Sequence, residues 1–208
     1  VISRPLLAPA TIDAADLVLR PFVEADEPAV AAAMRDPGIL RWAAGLAVLD
    51  APEAERGRRW LGPRITGWED GTAALAVTDA ADGTVVGAVS VRDVNRIPDQ
   101  AVMAYWVSPR FRGRGIAPRA LDAVARWAFT PTNGGGLGLH RLNLYHAVVN
   151  TGSCRVAVKA GFRMEVTMRE EFVDPTGQRY DSHLHARLAT DPRPEISPPV
   201  DPRHAANR

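Results

Sequence analysis

The chain has 208 residues, 46% of them hydrophobic, and a formal net charge of +1. That is enough for one substantial core and little more, and the charge is too low for a uniform nucleic-acid footprint. A single cysteine, Cys154, excludes an intrachain disulfide framework and a cysteine-rich zinc site. No apolar run is long enough to span a bilayer, and no basic segment followed by an apolar one opens the chain. Neither a membrane nor a nucleic acid is an expected partner, and the cytoplasm is the expected location.

Residues 1–15 are rich in Pro and Ala without a period and read as an irregular lead-in. Leu17–Phe22 reads as a strand, with Pro21 ending its regular pairing. Glu24–Arg35 has helical spacing, with Val30, Ala33 and Met34 on the apolar side. Asp50-Ala51-Pro52-Glu53 is a helix start, with Asp50 as cap, and that helix should run to about Trp60. Gly62-Pro63 should break or kink it before a second stretch toward Trp68. Two strands follow, Thr72–Thr78 and Thr84–Val91, joined by a turn ending in Asp82-Gly83. Asn95–Gln100 reads as a loop and Ala101–Val107 as the next strand.

From Gly115 to Phe129 the apolar residues Ala117, Ala120, Leu121, Val124, Ala125 and Ala128 form one helix face. Pro118 is tolerated because its missing N–H lies in the first turn. Thr130–Gly138 reads as a flexible connection and His140–Val149 as a strand. Thr151–Ala160 reads as a short helix capped by Gly161. Phe162–Val173 and Tyr180–Leu188 form a hairpin. The Pro-rich, charged segment 190–208 has no apolar period and reads as disordered. Strands and helices in this order make one mixed α/β domain over residues 16–189, with helices covering a sheet that contains antiparallel hairpins.

Chemistry concentrates where the strand ending Tyr105-Trp106-Val107 runs into Ser108-Pro109-Arg110-Phe111-Arg112-Gly113-Arg114-Gly115-Ile116-Ala117. Small residues let backbone approach a ligand closely, and the start of a helix offers unpaired N–H groups at a positive dipole end. With Arg112 and Arg114 nearby, this is a site for a phosphate or pyrophosphate. The Lys-Ser/Thr of a Walker loop and the three-glycine spacing of a dinucleotide fingerprint are both missing.

Arg112-x-x-Gly115-x-Ala117 instead resembles the Arg/Gln-x-x-Gly-x-Gly/Ala signature of the GCN5-related N-acetyltransferases (GNAT). A second segment, Asn150-Thr151-Gly152-Ser153 through Lys159-Ala160-Gly161-Phe162, is similar to a stretch of the RimJ/RimL-like branch of that superfamily. The resemblance spans roughly residues 16–188. It implies a GNAT fold, a mostly antiparallel twisted sheet splayed at the acetyl-CoA site and flanked by helices. It implies direct transfer of acetyl from acetyl-CoA, the cosubstrate, to a primary amine such as a protein N-terminus, with no metal. Homodimers are common in the branch.

By the same resemblance, Arg112, Gly113, Arg114, Gly115, Ile116 and Ala117 hold the pyrophosphate. Pantetheine lies between the splayed strands, and the backbone of Tyr105, Trp106 and Val107 polarises the thioester carbonyl. Asn150 bonds cofactor or substrate, and Ser153 protonates the departing thiolate. From local structure alone, Asn150 or Thr151 caps a helix and Ser153 satisfies an early N–H; the two roles are compatible. Relatives carry a Glu in the pattern Glu-Ile-Gly-Tyr-Trp, where this chain has Val102-Met103-Ala104-Tyr105-Trp106. Asp93 and Tyr105 are the remaining candidates for a general base.

Other readings stand beside this one. An aminoglycoside-like small amine is an alternative acceptor, and a non-catalytic acyl-CoA-binding module or a nucleotide-binding regulatory domain an alternative function. Cys154 reads as a small buried thiol. His183 and His185 share a strand face, but no third metal ligand is evident beside them, so packing explains them. Trp42, Trp60 and Trp68 line an acceptor pocket or belong to the core. Arg56-Gly57-Arg58-Arg59 is a solvated face.

Overall fold

The computed structural model describes residues 6–196. Eight strands form one sheet: β1 (Ile12–Ala14), β2 (Leu17–Pro21), β3 (Ala73–Asp79), β4 (Val85–Arg92), β5 (Gln100–Val107), β6 (Arg141–Ala147), β7 (Arg163–Val173) and β8 (Arg179–Leu188). Their order is β1-β2-β3-β4-β5-β6-β8-β7. Every neighbouring pair is antiparallel except β5 and β6, which run parallel.

Four helices, α1 (Glu27–Ala33), α2 (Pro37–Trp42), α3 (Leu46–Leu49) and α4 (Glu53–Thr66), lie between β2 and β3 in the chain. The crossover between β5 and β6 carries α5 (Ile116–Phe129), and α6 (Thr151–Lys159) follows β6. The apolar runs of β3 and β4 are buried along nearly their whole length because helices cover both faces. Leu75 and Val77 face a core shared with Leu121 and Val124 of α5 and Ala157 of α6. Ala74, Ala76 and Ala88 face a second core with Val30, Met34, Trp60 and Trp106, beneath α1–α4.

Several elements differ from their sequence reading. Residues 12–14, expected to be irregular, pair with Leu17–Leu19 as a short edge strand, because the chain doubles back at Ala15, which takes φ 61°. Two short helices, α2 and α3, occupy a stretch with no visible period; α2 starts on Pro37, with the Asp36 carboxylate accepting from Ile39 N at 2.8 Å. Asp50 closes α3 instead of opening α4, whose cap is Pro52. Pro63 does not break α4, which runs on to Thr66. The proline falls in the last turn, where one ladder bond is lost, and Arg64 donates to the Trp60 carbonyl at 2.6 Å.

The connection 130–138, expected to be flexible, is bonded internally: Gly138 N donates to Thr130 O at 2.8 Å and Trp127 Nε1 to Gly135 O at 2.9 Å. Of the segment read as disordered, residues 197–208 lie outside the described residues. No helix of the described residues is long and apolar enough to cross a membrane.

Candidate active site

β5 and β6 pair only from Gln100 and Arg141 to Met103 and Leu144. Both strands continue, β5 to Val107 along β4 and β6 to Ala147 along β8, but away from each other. The gap opens into a cleft of about 830 Å³, of a size to hold an extended cofactor. Its walls are the two strand ends, the N-terminal turn of α5, one face of α6, the α2–α3 segment and the β7–β8 hairpin.

The β5 backbone alternates across this gap. Ser108 N donates to Val86 O at 3.0 Å, and Trp106 O lies so close to Gly87 that an added Cβ there would approach it to 2.5 Å. Trp106 and Ser108 therefore turn their peptide groups to β4, which leaves those of Tyr105 and Val107 facing the cleft. Val107 O accepts from Arg112 Nε at 3.1 Å. The Trp106 indole is buried 5.6 Å from the Trp60 ring, in the second core, so its part in the cleft is structural.

Gly113 and Gly115 take left-handed conformations, φ 78° and 68°, with open space where a Cβ would be. Gly115 is the N-cap of α5 and supplies no side-chain cap, so the first N–H groups of that helix open on the cleft beside Ile116 and Ala117. The two arginines of the loop do not lie as free cations. Arg112 is held by Asp36, with Nη2 at 2.6 Å, and so ties the start of α2 to the loop. Arg114 lies outside the cleft, its guanidinium 5.4 Å from the Phe111 ring, in a shallow pocket with Asp79 and Asp82. Arg112 still lines the cleft, and Arg155 and Lys159 of α6 line it as well. Sequence reasoning missed them, although Gly152, Arg155, Val156 and Lys159 form one helical stripe.

At the middle of the cleft Tyr105 Oη donates to Ser153 Oγ at 3.1 Å. The Asn150 side chain caps α6, accepting from Ser153 N at 3.2 Å, so the capping reading of Asn150 holds. The Tyr105 hydroxyl leaves the Ser153 hydrogen free to point elsewhere. Burial pushes the Tyr105 phenol up to about 12, against the opposing pull of the Ser153 hydrogen bond. A phenol that weak as an acid stays protonated near neutrality, so Tyr105 is a donor and not a base.

Asp93, the other base candidate, does not line the cleft. It sits just past the end of β4 with its carboxylate 3.9 Å from Arg96. No Asp or Glu lines the cleft among the described residues, whereas Arg41, Arg92, Arg112, Arg155 and Lys159 do. Of the three tryptophans considered, Trp60 and Trp68 are core residues and only Trp42 reaches the cleft, beneath Arg41 at 4.4 Å. Arg41 in turn bonds Asp174 and Tyr180, which joins α2 to the β7–β8 hairpin across the far rim.

The histidines also differ from expectation. His146 of β6 stands directly opposite His183 of β8, and Cys154 of α6 packs on the same face, so His183 and His185 have close companions that sequence spacing concealed.

If Tyr105 is held as a neutral donor, the difference in phenolate absorbance between the wild type and Tyr105→Phe should titrate with a midpoint near pH 12. A midpoint near pH 10, the value of a free phenol, would contradict that environment.

A family model described as an acetyltransferase (GNAT) domain matches residues 16–163. YdaF of Bacillus subtilis (strain 168), named as a candidate ribosomal N-acetyltransferase, is 29% identical over 89 residues, 43% of this chain and 46% of that one. Spermidine N(1)-acetyltransferase of Escherichia coli (strain K12) is 29% identical over 91 residues, 44% of this chain and 46% of that one. The matched segment is thus less than half the length of either curated relative. Mycobacterium smegmatis RimJ, solved in complex with CoA-disulfide, superposes with a TM-score of 0.71 at 24% identity, covering 88% of this chain and 87% of that one. Likeness at that identity shows the shared fold. The family model, spanning β2 to β6 together with the Gly-Arg turn and all of α6, shows that this chain belongs to the GNAT acetyltransferase family.

Proposed function

We propose that this protein is an acetyl-CoA-dependent N-acetyltransferase whose acceptor is a protein or peptide N-terminal amine. The observation that carries the reading is the separation of β5 from β6 after Met103 and Leu144, with a glycine-opened helix N-terminus at one end of the gap and the Tyr105–Ser153 pair at its middle.

Pantetheine fits that gap as an added strand, bonding the main-chain groups that β5 no longer offers to β6. The pyrophosphate meets the first N–H groups of α5, with Arg155 and Lys159 supplying charge from the opposite wall. One main-chain N–H of the Tyr105–Val107 edge faces the thioester oxygen and stabilises the oxyanion formed when the amine nitrogen attacks the acetyl carbon. As the C–S bond breaks, Ser153 protonates the sulfur, Tyr105 returns a proton to Ser153, and water restores the phenol. The proton lost by the amine goes to solvent.

The missing carboxylate bears on the acceptor. An α-amino group has a pKa of about 8 and an alkyl amine about 10.4, so at neutral pH the former offers roughly 200-fold more free base. A cleft with no Asp or Glu on its walls has neither a carboxylate base for an alkyl ammonium nor a countercharge for a polyamine. Both points favour an N-terminal amine over a spermidine-like acceptor. The solved structures with the same fold include Vibrio fischeri ribosomal-protein-S5-alanine acetyltransferase, with a TM-score of 0.70 at 18% identity, covering 91% of this chain and 100% of that one.

Two assays test the proposal. At pH 7, kcat/KM for a peptide with a free α-amine and blocked lysines should exceed that for spermidine by about 100-fold or more, following the free-base ratio; parity or the reverse order would contradict the acceptor assignment. Ser153→Ala should lower kcat by about 100-fold or more, the usual range for a proton-transfer group, with the Kd of CoA unchanged. Equal losses in kcat and affinity, or no loss in either, would remove the proton-donor role.

A further inference from the structure

Behind the inner wall of the cleft, β6, β8 and α6 bring together His146, His183, His185 and Cys154. One candidate ligand atom from each lies within 4.8 Å of the others. His146 Nε2 is 3.1 Å from His185 Nε2, and Cys154 Sγ is 3.8 Å from the same His185 nitrogen. In a tetrahedral zinc site, Zn–N bonds of about 2.0–2.1 Å and a Zn–S bond of about 2.3 Å put ligand atoms about 3.3–3.6 Å apart. The two closest contacts bracket that range.

Hydrogen bonding shows which nitrogens are available. His146 Nδ1 is 2.9 Å from the Ala147 carbonyl, and His185 Nδ1 is 3.4 Å from the Phe162 carbonyl. A carbonyl can only accept, so both Nδ1 atoms carry hydrogen. In neutral rings both Nε2 atoms are then bare lone pairs, aimed at each other inside the protein. His183 Nδ1 is buried with no partner among the described residues. The Cys154 thiol can donate its hydrogen to His185 Nε2, which still leaves the His146 Nε2 lone pair and the buried His183 Nδ1 unanswered. A divalent cation answers all four, and the backbone bonds at Nδ1 are the outer contacts that orient metal-binding imidazoles.

We propose that His146, His183, His185 and Cys154 form a zinc site. Three imidazoles and one thiolate suit a borderline-soft ion of tetrahedral preference. Four protein ligands close the coordination shell, so the ion acts as a structural clamp and not as a Lewis acid. It joins the first turn of α6 to β6 and β8, and Cys154 is the residue next to Ser153. His146 also borders the cleft, which gives the ion a way in. The site does not depend on the acetyl-transfer reading.

The test uses the full chain without a histidine tag, stripped with a chelator and titrated with Co²⁺. The expected result is one Co²⁺ per chain, with intense visible bands of a tetrahedral ion and a near-ultraviolet thiolate-to-cobalt band, all displaced by Zn²⁺. Cys154→Ser should lose the thiolate band while keeping its near-ultraviolet circular dichroism. His183→Gln should weaken Co²⁺ binding by about tenfold or more, at least the loss known for outer-contact changes. Zn²⁺ should also raise the thermal midpoint of the wild-type apo-protein. Failure of the wild type to take up one equivalent would overturn the proposal. So would only the weak spectrum of an octahedral ion, or a near-ultraviolet band that survives in folded Cys154→Ser.

Discussion

Backbone pairing between β5 and β6 stops at Met103 and Leu144 although both strands run on, and each keeps its other neighbour. Buried peptide groups need partners, so the separation creates a demand along β5 that water or an extended ligand must meet. The demand sits on one edge because strand alternation sends Trp106 and Ser108 toward β4 and leaves Tyr105 and Val107 facing the gap. A parallel pair also requires a crossover, and that crossover is α5. Its N-terminus opens beside the gap, so one topological choice places both an unpaired strand edge and a positive helix end at the same cleft.

The elements around the cleft hold this gap open. Asp36 caps α2 and binds Arg112, so α2 and the Gly-Arg loop before α5 share one ion pair. Burial raises the Asp36 carboxyl, but the Arg112 hydrogen bond and two backbone N–H groups bring it below its ordinary value. At the far rim Arg41 joins α2 to the β7–β8 hairpin through Asp174 and Tyr180. On the inner wall the Asn150 cap sets the first turn of α6 and thereby aims Ser153 at Tyr105. The chemistry proposed for Ser153 thus depends on a cap, and the local and functional readings of Asn150 describe one arrangement.

Most of the sheet and the helices α5 and α6 were legible because their signals are local. The apolar runs of β3 and β4, the stripe on α5 and the glycines before it need no tertiary information. The stretch between Met34 and Trp60 was poorly legible because α2 and α3 are too short to show a period and are held by tertiary contacts such as Asp36 with Arg112. The direction of a cation was not legible either. Arg112 and Arg114 look equivalent in the chain, yet one is bound by Asp36 and the other stacks near Phe111 outside the cleft. His146 joins His183 and His185 through the β6–β8 register and Cys154 through the packing of α6, neither of which spacing along the chain encodes. Asp93 follows Arg92, which stands opposite Val102 where β5 still pairs with β6, so the antiparallel register puts it at the end of β5 away from the cleft.

The central claim is that the cleft between β5 and β6 takes acetyl-CoA. Thermal unfolding measured with acetyl-CoA, CoA and ATP titrated separately tests it most directly, because a ligand that binds only the folded chain raises its apparent stability with concentration. A midpoint that climbs with both CoA forms and stays fixed with ATP is the predicted result. A folded protein whose midpoint ignores both CoA forms would contradict the claim.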